Sequence, residues 1–406
     1  MTRVLFFSPG FPSEMPMFAR GLAQSGAQVI GLGDQPVPSL PDIARESLVD
    51  YVRVRNLFDT AGVIETVKEY ARRVRIDQVE CVWEPGMILA AELREALGLP
   101  GMTVKQTVPF RDKEAMKKML DAAGIRTPRH RSAVNDKQIR QAVEEIGFPV
   151  CIKPIAGAGS ADTYRVDDAE ELERVILLTR HVRELSVEEF IEGEEFTFDT
   201  ICSGGNIHYY NVSWYRPRPL IARTEEWISP QTLSLRDVTD PKIQGGIEMG
   251  RQVLKALGFQ AGFTHMEWFL KDDGEAVFGE IGARPPGARS VELMNYACDI
   301  DVFRGWGEAV VWNRFNQPIQ RKYNSAIIFK RALGEGRIRR IEGLRRLMHD
   351  IRPHVTSVNL LPIGAHRRNW KQTLVSDGYI LLRHPDLATT MAMADRVGTD
   401  LKLYAS

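Results

Sequence analysis

Residues 262–280 read Gly-Phe-Thr-His-Met-Glu-Trp-Phe-Leu-Lys-Asp-Asp-Gly-Glu-Ala-Val-Phe-Gly-Glu, and they leave the chain few choices. Two runs of strand-forming residues flank Asp273-Gly274, a preferred two-residue hairpin loop. Closing on that loop sets Glu267 opposite Glu280 and Phe269 opposite Phe278. Directly opposed strand residues hold their Cβ atoms roughly 5 Å apart. Two carboxylates at that spacing repel by about 3 kcal/mol at an effective dielectric of about 20, and by less than about 1 kcal/mol in bulk-like water. A hard divalent cation turns the repulsion into coordination, and oxygen ligands suit Mg²⁺ or Mn²⁺. The bland reading is a pair of solvated glutamates. The aromatic pair expected beside them argues against open water on that face.

The hairpin sits within 406 residues, a length that suggests two or three domains. With 44% hydrophobic residues, 33 Gly and 22 Pro, the chain can build sizeable cores and is neither disordered, collagenous nor coiled-coil. Strand and helix signals alternate first: strands at 3–7, 28–32 and 78–83, helices at 16–25, 61–74 and 88–97. This βαβα order predicts an open parallel sheet covered on both faces. The turn after the first strand lacks GxGxxG, which disfavours a dinucleotide site there. A second unit starts near Arg111, where Asp112 caps a helix with apolar positions at Met116, Met119, Leu120 and Ala123. Beyond about residue 326 another α+β pattern follows, ending in a helix at 385–397.

Two further stretches carry candidate chemistry. In Phe148-Pro-Val-Cys-Ile-Lys153-Pro-Ile-Ala-Gly157-Ala-Gly159-Ser160-Ala161, a lysine ends a strand and a loop of small residues follows. Backbone N–H groups of such a loop can approach phosphate oxygens, with the lysine as a point charge. It is not a P-loop, because GxxxxGK[ST] is absent and a strand follows. In Glu188-Glu189-Phe190-Ile191-Glu192-Gly193-Glu194-Glu195-Phe196-Thr197-Phe198-Asp199, alternation puts Glu195, Thr197 and Asp199 on one face. An acid there can bond ribose hydroxyls; alone, the stretch reads as an acidic surface loop.

Taken in order, Lys113, the Lys153 hairpin, the Glu-Phe-Ile-x-Gly-x-Glu run and two opposed glutamates followed by Arg284 resemble the ATP-grasp family over essentially the whole chain. The resemblance implies an open α/β domain (1–110), a two-subdomain ATP-grasp domain (111–325, with a mobile lid at about 126–186) and a C-terminal α+β lobe (326–406). It implies that Lys113 and Lys153 contact ATP phosphates and that the loop Gly157, Gly159, Ser160, Ala161 closes over them. Glu189 and Ile191 would meet adenine through backbone atoms, with Glu188 adjacent, and Glu195 would hold the ribose. Glu267 and Glu280 would bind Mg²⁺ or Mn²⁺, and Arg284 would stabilise the transferring phosphoryl group. Many relatives read Glu-x-Asn-x-Arg at the second glutamate; here it is Glu280-Ile-Gly282-Ala-Arg284, so one metal-ligating side chain is missing.

The family activates a carboxylate as an acyl phosphate and passes it to a nucleophile, and this pattern looks closest to the carboxylate–amine ligases, notably amino-acid ligases. Expected partners are therefore a small carboxylate and an amine. A carboxylating or formylating ligase of the purine-biosynthesis type and a non-catalytic ATP-binding module are the alternatives. Softer substrate candidates are His265, which shares the face of Glu267; Arg216 in Trp214-Tyr-Arg216-Pro-Arg218; Gly287; and Glu84, placed where open α/β sheets present ligands. Each has a structural alternative: a packed strand histidine, an exposed loop arginine, a helix cap. The His-x-Glu spacing lacks the Pro-Cys-x-x-Cys partner of a zinc deaminase.

Lys plus Arg and Asp plus Glu each number 53, so no global field steers the chain to polyanions. Five arginines between 337 and 346 read as a solvated helix face, without the aromatics of a nucleic-acid module. No apolar run approaches the roughly 18 residues of a membrane span. Four scattered cysteines suggest reduced thiols and a cytoplasmic location. A homodimer is the default expectation from symmetry.

Overall fold

The computed structural model describes residues 1–155, 162–373 and 375–406. Strand alternation in Arg3–Phe7 organises the N-terminal unit. Val4 and Phe6 point to one side, packing with Phe18, Phe303 and Trp306. Leu5 and Phe7 point to the other, against Val63, Val67, Leu89 and Leu93 of helices Thr60–Ala71 and Met87–Leu97. The result is a four-stranded parallel sheet covered on both faces. Its edge strand, Leu48–Arg53, escaped the sequence reading because mostly exposed polar and apolar residues blur its pattern. The strand expected at 78–83 is Gln78–Glu80.

The lid sheet is antiparallel, in the order His130–Ala133, Leu185–Glu189, Val150–Pro154, Tyr164–Val166. Helices Asp136–Ile146 and Ala169–Leu178 pack onto it through Ile139, Val143, Leu172 and Val175. An eight-stranded sheet forms the body of the molecule and carries the Glu267/Glu280 hairpin at one edge. Tail strands Gly378–His384 and Val355–Leu360 extend that same sheet, so the boundary expected at 325/326 falls inside its strand Asn324–Phe329.

The closing helix is Leu387–Asp400, capped by Asp386, whose side chain accepts from the Thr389 N–H. The described chain does not end there as expected. Strand Lys402–Ala405 follows and pairs with Ala332–Gly334 and Ile338–Glu342 in a small third layer. The arginine run is likewise divided: Arg339 and Arg340 lie on strand Ile338–Glu342, Arg345 and Arg346 on helix Leu344–Ile351. Among the described residues no helix is long and apolar enough to cross a membrane.

Candidate functional site

Glu267 does face Glu280, but by a route the sequence did not suggest. The loop is one residue longer than Asp273-Gly274: Lys271 N–H donates to Glu275 O at 3.0 Å, and Gly274 takes φ +86°. That is a three-residue hairpin with a left-handed glycine. It shifts the tip, so Phe269 faces Val277 and Phe278 faces Trp268, correcting the expected Phe269/Phe278 pair. A bulge at Gly279 then restores the register for the two glutamates. A Cβ at 279 would lie 2.8 Å from the Glu267 carbonyl oxygen, so only glycine fits.

Helix Lys113–Ala122 supplies cations to this edge. Asp112 caps it by accepting from the Glu114 and Ala115 N–H groups. Lys113 Nζ lies 3.0 Å from Glu280 Oε1. One turn on, Lys117 is fully buried and ion-pairs with Glu188. Lys153 takes the other oxygen of Glu188 at 2.9 Å. Burial alone would raise the Glu188 carboxyl, but the two ammonium groups hold it far below the usual range. The same carboxylate outweighs the burial cost at Lys153 and holds its ammonium above normal. Lys117 is a neighbour of the candidate site that the sequence reading missed; its signal is that residues 113, 117 and 120 share one helical stripe.

Arg284 follows the second hairpin strand, Ala276–Gly282, and donates from Nε to Glu84 Oε2 at 2.6 Å. Arg111 pairs with the other oxygen of Glu84. Glu84 is thus no helix cap: it joins the N-terminal unit to the hairpin edge. Burial tends to raise it, and Arg284 and Arg111 hold it below normal.

His265, buried on the Glu267 face, bonds Asp199 Oδ1 through Nδ1 at 2.6 Å and points Nε2 at Glu267 Oε1 at 3.4 Å. Burial disfavours its charged form, but Asp199 and Glu267 prevail and raise it to about 9. Asp199 is fixed in turn by the Thr197 hydroxyl at 2.8 Å and Asn211 Nδ2 at 3.1 Å. Glu195, also buried, is pushed up to about 8 by burial and by the charge of Glu267, against the pull of Arg218 and Lys153.

Glu189 is clasped by Arg126 through both carboxylate oxygens at 3.1 Å, and its N–H donates to Arg129 O. The Ile191 carbonyl accepts from Arg218 Nη1 at 2.8 Å. Gly287 O accepts from Ser290 N–H at the entry to helix Ser290–Cys298, where Ala288 and Arg289 take positive φ. The Arg216 guanidinium pairs with Gln231 and Asp395, and all three side chains line the cleft that also borders Glu195. The expected phosphate loop at Gly157, Gly159, Ser160 and Ala161 lies outside the described residues. A cleft of 430 Å³ opens beside Glu195, bounded by Trp214, Tyr215, Arg218 and Ile221.

Two antiparallel sheets linked through Lys153, Glu188 and Lys117 beside the Glu267/Glu280 hairpin form the arrangement of an ATP-grasp fold. Residues 24–101 match the ATP-grasp N-terminal domain and residues 118–293 the ATP-grasp domain. The chain belongs to the ATP-grasp family. It is 26% identical over 244 residues to the L-arginine-specific L-amino acid ligase of Bacillus subtilis, covering 56% of this chain and 58% of that protein. Over 111 residues it is 38% identical to the D-alanine–D-alanine ligase of Xylella fastidiosa, covering 26% of this chain and 36% of that protein. The chain therefore spans only about half the length, or less, of these curated relatives. The solved L-amino acid ligase of Bacillus licheniformis superposes with a TM-score of 0.81 at 21% identity, covering 100% of this chain and 99% of that one. The N5-carboxyaminoimidazole ribonucleotide synthetase of Thermotoga maritima gives 0.74 at 19% identity, with both chains fully covered.

Proposed function

We propose that this chain is an ADP-forming carboxylate–amine ligase that activates a small carboxylate with ATP and joins the acyl group to an amine, an amino acid being the favoured class for both. The observation that carries this reading is the convergence of Lys113, Lys153, Glu267, Glu280 and Arg284 on one sheet edge, with Glu195 beside them. Phosphoryl transfer is mostly positioning and charge neutralisation, which is what such a set supplies. A carboxylate oxygen attacks the γ-phosphorus, ADP leaves, and an amine then displaces phosphate from the acyl phosphate. Lys113 and Lys153 neutralise phosphate oxygens, and Arg284, held by Glu84, faces the charge that develops on the transferring group.

The donor set fits Mg²⁺ or Mn²⁺. Glu267 and Glu280 are opposed carboxylates, and Lys113 already places a positive charge against Glu280. Mg²⁺ is typically held by one or two carboxylates plus phosphates and water, so two glutamates suffice without a third protein ligand. When bound, the ion draws charge from the β- and γ-phosphate oxygens. Gly282, where many relatives carry Asn, adjoins Arg284: a Cβ there would lie 3.3 Å from Arg284 Cγ. The four free cysteines fit a reducing, cytoplasmic setting. The full-length likeness to the Thermotoga synthetase favours, as second reading, a carboxylating ligase.

Phosphate release from MgATP across a panel of amino acids and small acids, with and without hydroxylamine, tests the proposal. Release dependent on one acid, with hydroxamate formed, is the expected result. Release dependent on bicarbonate alone transfers the assignment to the second reading, and MgATP binding without turnover defeats ligase activity. Glu280→Gln removes one of two carboxylate ligands and abolishes turnover; near-wild-type rates with Mg²⁺ defeat the metal assignment.

A further inference from the structure

Arg218 is a guanidinium held between aromatic rings beside the cleft, and neither the phosphate nor the metal chemistry uses it. Its side chain is 10% exposed, and its centre lies 4.8 Å from the ring centroids of both Phe190 and Phe269. Stacking on aromatic faces fixes the plane of a guanidinium and favours Arg over Lys. Within that plane Nη1 donates to Ile191 O at 2.8 Å, and Nε stands 3.5 Å from Glu195 Oε2. One side chain thus spans the two segments that flank Gly193: the stretch after lid strand Leu185–Glu189 and the start of strand Glu194–Ser203.

Glu195 itself is buried, and its carboxyl group can accept both ribose hydroxyls only when its two oxygens are turned toward them. The neighbouring guanidinium, 3.5 Å from Oε2, favours one rotation of that group. We propose that Arg218 is the positioning residue of the nucleoside end of the site: it orients the Glu195 carboxylate to accept the two ribose hydroxyls. The inference rests on the nucleotide reading of Glu195 given above. Arg218 acts through Glu195; its own free edge need not touch the nucleotide.

The test compares equilibrium binding of MgATP and Mg-2′-deoxy-ATP, by calorimetry without acid substrate, in the wild type, Arg218→Ala, Glu195→Gln and the double variant. The wild type should prefer ATP by about tenfold, equivalent to about 1.4 kcal/mol. Glu195→Gln and Arg218→Ala should each erase that preference, and the double variant should lose nothing more. Arg218→Lys, the milder change should Arg218→Ala not fold, keeps a cation but loses the stacked fork, and should retain only part of the preference. If Arg218→Ala or Arg218→Lys keeps the full preference, Arg218 is only a strap between segments and the proposal falls. Loss of the preference in the Arg218 variants but not in Glu195→Gln also overturns it, since Arg218 would then meet the ribose directly. A wild type that binds MgATP without preferring it over the deoxy analogue defeats the ribose role of Glu195 and this proposal together. A wild type that binds no nucleotide overturns the functional reading itself.

Discussion

Lys117 and Glu188 are almost completely buried, and charges in that position persist only when paired. Lys117→Met deletes one of two cations on Glu188 while Lys153 stays. Breaking a buried pair from one side leaves an undercompensated charge, so about 3 kcal/mol of stability should be lost in chemical denaturation. A cost below about 1 kcal/mol would show that Lys153 alone satisfies Glu188. His130 gives a second residue-scale expectation. Its ring bonds Glu114 at 3.0 Å and Asp121 at 2.9 Å. Burial disfavours the charged ring, but these carboxylates prevail and raise it above its ordinary 6.5. A raised value means the stabilisation is complete below 6.5 and fades as pH climbs through the folded-state value. The stability gap between wild type and His130→Gln should therefore shrink as pH rises above 6.5; a gap that widens contradicts the assignment. These pairings were not legible in the sequence: Lys117 and Glu188 stand 71 positions apart, Glu84 and Arg284 200 apart. Residues on one strand, such as His265 and Glu267, could be read because alternation alone puts them on one face.

At the scale of elements, glycine placement decides where strands can meet. The hairpin register was read correctly at the glutamates only because two departures cancel, an added loop residue and the bulge at Gly279. Alternation cannot reveal such a pair of shifts, since only together do they return the glutamates to the same pairing. Gly193 is a stricter case. It joins lid strand to sheet strand at φ +148°, and a Cβ there would lie 2.2 Å from the Leu270 carbonyl oxygen at the hairpin tip. Neither atom belongs to a side chain that could turn aside. Gly193→Ala should cost at least about 2 kcal/mol from backbone strain and contact together. Because the displaced segment carries Ile191 and Glu195, MgATP affinity should fall with it. Unchanged denaturation and binding would mean that the segment relaxes without penalty. Long, strongly patterned helices were legible in outline, whereas the edge strand Leu48–Arg53 and the last strand Lys402–Ala405 were not. Both sit at positions where only one side of the strand is well buried, so the hydrophobic signal is too thin to separate from loop.

The whole molecule is joined by a close crossing of helix Met15–Gln24 over helix Val302–Trp312. Phe18 stacks edge-on against Phe303 at 4.9 Å and Trp306 at 5.2 Å. At the crossing a Cβ on Gly21 would stand 2.3 Å from the Phe303 carbonyl oxygen, and one on Gly307 2.7 Å from that of Gly21. Backbone meets backbone there, so a methyl group must push the helices apart, at about 2 kcal/mol. The separation matters to chemistry because Glu84 belongs to the N-terminal unit and Arg284 to the sheet it holds. The proposed phosphate, ribose and metal residues Lys113, Lys153, Glu195, Glu267 and Glu280 lie beyond the N-terminal sheet, on helix Lys113–Ala122, the lid and the large sheet. Gly21→Ala should therefore lower kcat while leaving the MgATP dissociation constant close to wild type, and Gly307→Ala should do the same. Parallel loss of nucleotide affinity would instead show that the crossing supports the whole site. Unchanged kcat in both variants would show that Arg284 keeps its orientation without Glu84.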